Sequence, residues 1–164
     1  MKITRKKLIF ILSLASLAFV ALGAWPLLRW MVGRASPMPA MLGVQADGRL
    51  APCPNSPNCV STFATEKPHT MPAIPYTGTS TAAQERLIAV LASLDDDMTL
   101  ITSRTGYIHA EFRSPGMAFI DDVEFLIDEQ WEGIQFRSAA RLGYGDMGAN
   151  YQRMKRISRL FAEG

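Results

Sequence analysis

The chain has 164 residues, one domain's worth, and its 48% hydrophobic against 20% charged residues exclude a disordered or low-complexity polypeptide. Of its 17 basic residues, six (Lys2, Arg5, Lys6, Lys7, Arg29 and Arg34) fall in the first 34 positions, which hold no acid; from Ala35 onward eleven basic residues face 15 acidic ones. The basic pI therefore belongs to the N-terminus, and the rest of the chain carries no electrostatic footprint for nucleic acid.

Behind the N-terminal basic cluster, Leu8 to Leu28 is a run of 21 residues without a charge, matching the roughly 20 apolar residues that span a bilayer. Trp25 and Trp30 stand at its far end, where amphipathic rings favour the headgroup layer. The basic cluster outweighs Arg29 and Arg34, so residues 1–34 are expected to anchor the chain in a bacterial inner membrane with the N-terminus cytoplasmic and the remainder periplasmic. A cleaved signal sequence, with Ala21 and Gly23 near the cut, is the alternative. The anchor is preferred because the apolar run continues past that point. Residues 35–41, with Pro37 and Pro39, read as a stiff linker, and residues 42–164 as the exported domain.

Both cysteines lie in Cys53-Pro-Asn-Ser-Pro-Asn-Cys59, a segment whose Pro and Asn content predicts loop. Export predicts a disulfide closing it; a redox-active pair is the alternative, weakened by spacing that is not Cys-x-x-Cys. Thr81-Ala-Ala-Gln84 has capping-box spacing, and Leu87, Ile88, Leu91 and Leu94 continue it as a helix. Four strands are predicted next, at residues 98–103, 106–113, 119–127 and 134–139, as an antiparallel meander. From about Met147, the residues Tyr151, Met154, Ile157 and Phe161 mark an amphipathic C-terminal helix, with Asp146 as its N-cap and Asn150 in its first turn. Beyond the transmembrane helix, the expectation is an α+β domain of helix, four-stranded meander and helix.

The two helices need an apolar partner and should cover one sheet face. Alternation gives that face Ile108, Ala110, Phe112, Val123, Phe125, Ile127, Ile134 and Phe136. The opposite face receives Tyr107, His109, Glu111, Arg113, Asp122, Glu124 and Arg137. Pairing apolar with apolar side chains sets Ala110 against Val123, His109 against Glu124, Glu111 against Asp122 and Glu124 against Arg137. A row His109–Glu124–Arg137 results.

The simplest reading of this row is an ion-pair ladder on a solvated face. It also supports a hydrolase with His109 as general base, Glu124 as its orienter and Arg137 as anion clamp, although no nucleophile is evident. A divalent metal on His109, Glu111, Asp122 and Glu124 is the third reading, without diagnostic ligand spacing, so neither a metal nor a cofactor is assigned. The candidate ligand site is His109, Glu111, Asp122, Glu124, Arg137 and Arg141, for a small anionic ligand or a lipid headgroup. Arg141, Gly143 and Asp146 are an alternative anion-binding turn. His69, in a Pro-rich loop, either reaches the Cys loop or faces solvent, and the solvent-facing reading is preferred. The preferred function is a membrane-anchored binding or interaction domain.

The segments Arg49–Ser61, Tyr107–Phe112, Asp121–Phe125 and Arg137–Asp146 with Asn150, in that order, resemble a bacterial and plant family described as domain of unknown function 1499. The resemblance spans roughly Leu42 to Phe161, with Ala140 and Gly145 standing where the family pattern has Ser. It implies a compact domain, often exported or membrane-linked, and carries no catalytic assignment.

Overall fold

In a computed structural model, which describes residues 4–94 and 96–164, the helix expected after the Cys loop is α2, Ser80–Ala92, and it starts two residues earlier than capping-box spacing suggests. Thr79, not Thr81, is the N-cap: its hydroxyl accepts from the Ala82 amide at 3.2 Å. Gln84 is thereby freed from the cap. Its side chain instead clips the turn between two strands, donating to Arg104 O and accepting from Gly106 N.

The long N-terminal helix α1 runs from Arg5 to Arg34 with Pro26 inside it and buries none of its residues. It is long and apolar enough to cross a membrane. The strands are β1 (Cys59–Ser61), β2 (Asp97–Arg104), β3 (Tyr107–Arg113), β4 (Ile120–Leu126) and β5 (Gln135–Ala140). The chain closes with α3, Ala149–Glu163. The fold is α+β as expected, with five strands rather than four, in the order β1-β5-β4-β3-β2 and antiparallel throughout. The additional strand is the end of the Cys loop, where Cys59 pairs with Ala139 and Ser61 with Arg137. Three residues are too few to show a period, and the Pro- and Asn-rich stretch before them masks the strand.

The β3–β4 and β4–β5 registers are those that apolar matching predicts: Ala110 faces Val123, Glu111 faces Asp122, His109 faces Glu124, and Glu124 faces Arg137. One sheet face carries the main core. Leu87 and Leu91 of α2 and Met154, Ile157 and Phe161 of α3 pack there on Ile108, Phe112, Val123, Phe125 and Phe136.

The other face is not open. Residues 36–51, the strap between α1 and the Cys loop, run across it. Leu50 packs with Tyr107 and Leu126 in a second small apolar cluster bordered by Phe63 and Trp131. A short turn tightens the strap, with Val44 bridged to Leu50 and the Gly48 carbonyl accepting from Trp131 Nε1. The helix α3 begins later than expected. Gly148, with φ of 81°, is its N-cap, and Asp146 caps from two residues further back by accepting from the Gly148 and Asn150 amides.

Candidate functional site

The six residues proposed as a ligand site do converge, and they are buried. His109 is 4% exposed, Asp122 1% and Glu124 0%. Arg141, just past β5, reaches back over the sheet, and its Nε and NH2 donate to the two oxygens of Asp122 at 2.8 and 2.7 Å. The same NH2 donates to Glu111 Oε1, while NH1 donates to the Ser36 carbonyl of the strap at 3.2 Å. Arg113 holds the other oxygen of Glu111. The bidentate fork on Asp122 is the strong form of such a pair.

The row itself is wired differently from its strand register. His109 Nε2 lies 2.8 Å from Asp122 Oδ1, its diagonal neighbour, rather than on Glu124. Sheet twist shortens one diagonal between adjacent strands, and Arg141 fixes Asp122 on that side. Glu124 spends its acceptors elsewhere: Oε1 takes the Tyr107 hydroxyl at 2.8 Å and the Gly43 amide of the strap, and Oε2 takes Arg137 NH1 at 3.4 Å. The orienting carboxylate for His109 is therefore Asp122, and the expectation that Glu124 plays that part is corrected. Among the described residues Arg137 Nε has no partner.

Burial pushes the Asp122 carboxyl up, but the bonds and charges of Arg141 and His109 outweigh it and hold the group below the ordinary carboxylate range. The Arg141 guanidinium is correspondingly raised, chiefly by its bond to Asp122. Tyr107 is raised well beyond an ordinary phenol, by burial first and then by the Glu124 charge beside it. The solvated ladder expected on this face is thus a buried, internally paired network roofed by the strap. None of its members lines either of the two recesses described next.

A different group of residues does line a recess. At the end of the sheet where β3 turns into β4, a cavity of about 130 Å³ is bounded by Ser114, Phe119, Asp121, Ala140, Leu142, Gly143, Gly145, Asp146 and Ala149. Asp121 follows alternation away from Asp122 onto the helix side, where an acid needs a partner. Arg153 of α3 supplies it at 2.6 Å while its guanidinium stacks 4.7 Å over the Phe112 ring. Burial nevertheless pushes the Asp121 carboxyl up; Arg153 opposes that rise, and Asp146 and Asp122 add to it.

Asn150, fully buried, ties this wall together. Its side-chain oxygen accepts from Ser138 and Arg153, and its amide donates to the Asn58 carbonyl and to Asp146. Asn58 in turn donates to the Gly143 carbonyl. Sequence reasoning assigned Asn150 to a first-turn role and passed over Asp121 and Arg153. The available signal was the Asp121-Asp122 doublet, because two adjacent strand residues cannot share a face.

Two further placements complete the site region. Cys53 and Cys59 are bonded, with their sulfurs 2.06 Å apart. His69, read as a solvent-facing residue, instead brings Nδ1 to 2.9 Å from the Cys59 carbonyl and lines a second recess of about 230 Å³ beside Cys53. Arg29, one residue beyond the apolar run of α1, donates through NH1 to the carbonyls of Pro115 and Gly116, both at 2.7 Å. These contacts fasten the end of the apolar helix to the β3–β4 turn.

No curated protein and no solved structure matches the chain. A family model does match, over residues 49–161, which include every sheet strand, both recesses and all six candidate site residues. The chain belongs to the family described as protein of unknown function, DUF1499.

Proposed function

We propose that this is a single-pass protein of the bacterial inner membrane whose periplasmic domain is held close to the bilayer surface and binds a small polar group or a lipid headgroup there. The observation that carries the reading is Arg29. A side chain one residue past a span-length apolar run bonds two carbonyls of the β3–β4 turn, so that turn lies at headgroup depth when α1 spans the membrane. Trp25 and Trp30 flank Arg29 and are half exposed, as interfacial anchors are.

Binding is favoured over hydrolysis by the state of the buried network. A general base must reach a substrate proton directly or through one water. His109 is engaged with Asp122 beneath the strap, and Arg141 is engaged with Asp122, Glu111 and Ser36. The anion clamp of the hydrolase reading is spent within the protein. The network serves instead to fix the strap, and through it the end of α1, on the sheet.

Protease added to cells with a permeabilised outer envelope is expected to digest the domain while leaving a membrane-embedded N-terminal fragment. Protection of the domain until the inner membrane is lysed refutes the topology.

A further inference from the structure

The end of the sheet that meets α1 is also where the domain leaves its apolar side chains most open. Beyond residue 42, the two most exposed large hydrophobic residues are Met147, which is fully exposed, and Tyr144, at 76%. Both belong to the 141–148 loop, and Phe119 and Tyr151 on either side of it are exposed as well. Met147 is held in the open by its own backbone. Its φ of 55° lies in the left-handed region, which is costly for an L side chain and which asparagine or glycine adopts more readily. The loop around it is anchored: the Gly143 carbonyl accepts from Asn58, and Asp146 turns inward to the Gly148 and Asn150 amides. A methionine that buries no surface, in a strained position of an anchored loop, contributes nothing to the fold itself.

Two sets of contacts say what this loop faces. Arg29 of α1 bonds the Pro115 and Gly116 carbonyls of the β3–β4 turn. Arg141, where the loop begins, donates through its amide to the Ile120 carbonyl just past that turn and through its side chain to the Ser36 carbonyl, two residues beyond α1. The loop is thus tied both to the end of the span-length helix and to the turn that Arg29 holds at headgroup depth. The exposed acids at this end of the sheet, Asp96 and Asp97, lie at the β2 edge, three places from β5 in the strand order. Large apolar side chains left in the open beside a span-length helix suit an interfacial layer better than bulk water.

We propose that the 141–148 loop is a second membrane contact, in which Tyr144 and Met147 enter the boundary between headgroups and acyl chains in the leaflet from which α1 emerges. The domain then stands on the bilayer at two points rather than swinging on one helix. The proposal rests on the reading of α1 as a membrane span and names the surface by which the domain meets lipid. Tyrosine suits that layer because its ring is apolar and its hydroxyl stays wet, and the flexible thioether of methionine fits irregular apolar surroundings.

The test is fluorescence quenching of the full-length chain in phosphatidylcholine nanodiscs. Cys53 and Cys59 are bonded to each other, so a single introduced cysteine takes the nitrobenzoxadiazole label. Labels are placed one at a time by Leu17→Cys within α1, Tyr144→Cys, Met147→Cys, and Glu129→Cys in the β4–β5 loop at the opposite end of the sheet. A lipid carrying a nitroxide near its headgroup should quench the Tyr144→Cys and Met147→Cys labels roughly threefold more than the Glu129→Cys label, and aqueous iodide should do the reverse. Because the label is itself apolar, hydroxyl-radical footprinting of the unlabelled chain provides the second measurement. Met147 should be oxidised several-fold more slowly than a free methionine peptide in the same sample, although the fold leaves it fully exposed. Lipid quenching at Leu17→Cys with Tyr144→Cys and Met147→Cys behaving as Glu129→Cys overturns the proposal and leaves the span intact. Oxidation of Met147 at the peptide's rate also overturns it, whatever the labels report. Iodide quenching at Leu17→Cys overturns the span and the proposal together.

Discussion

Arg141→Met probes whether the charged face is buried structure or surface decoration. Methionine keeps the apolar stem and deletes the guanidinium, whose side chain is 5% exposed and which donates to both oxygens of Asp122, to Glu111 and to the Ser36 carbonyl. Asp122, 1% exposed at its side chain, would be left with His109 alone, and Glu111 with the partly exposed Arg113. Breaking a buried pair by removing one partner costs about 3–5 kcal/mol, whereas an exposed pair costs at most about 1. The expected loss at pH 7 is therefore about 3–5 kcal/mol, read from guanidinium chloride unfolding of the full chain in mild detergent. The loss also has a predicted pH dependence. The Asp122 carboxyl is depressed in the native protein, so its stabilisation is present above the ordinary carboxylate range and disappears as pH falls through the depressed value. Without Arg141 the depression is lost, so the two proteins should converge in stability on acidification. A cost below about 1 kcal/mol at pH 7, or a difference independent of pH, refutes the reasoning.

Three other outcomes are expected. One of the four tyrosines, Tyr107, should resist ionisation: its raised phenol contributes stability below the ordinary tyrosine range that is lost as pH rises through the raised value, so ultraviolet titration should show its phenolate appearing only with alkaline unfolding. Replacing both Cys53 and Cys59 by Ala should cost roughly 2–3 kcal/mol from the loop entropy of so short a closure, measured as a lowered melting temperature that reductant reproduces in the wild type. Asn150→Ala, which removes the acceptor of the buried Ser138 hydroxyl and leaves the Asn58 carbonyl with the Ala140 amide, should cost roughly 1–2 kcal/mol in the same unfolding assay.

The sequence disclosed the elements whose signals are local. Period-two alternation and apolar matching place β3, β4 and β5 in their true register, because a slip by one residue would turn Phe112, Val123 and Phe125 into solvent. The same logic identifies which acids and bases share a face. It does not say whether that face is wet. The cover comes from contacts between residues far apart in the chain: Gly43 to Glu124, Ser36 to Arg141, Gly48 to Trp131. No periodicity announces them, since residues 36–51 form neither a helix nor a strand. The Asp121 recess was hidden for a related reason, as its walls come from the β3–β4 turn, two strand ends, the 141–148 loop and the start of α3.

These long-range contacts share a chemical feature. The strap meets the buried charges through its backbone: the Gly43 amide donates to Glu124, and the Ser36 carbonyl accepts from Arg141. Main-chain groups are supplied by any sequence that can follow the same path, so most strap side chains are free to vary without disturbing the network. Gly43 is one exception. Its φ of 86° lies in the left-handed region, although a Cβ there would meet nothing within 4 Å. Any demand for glycine at this position is therefore conformational rather than steric, worth about 1–2 kcal/mol against an L side chain. A charged face that recruits backbone rather than side chains for its cover leaves no residue pattern behind. This is why six candidate residues could be placed together from the sequence while their burial could not.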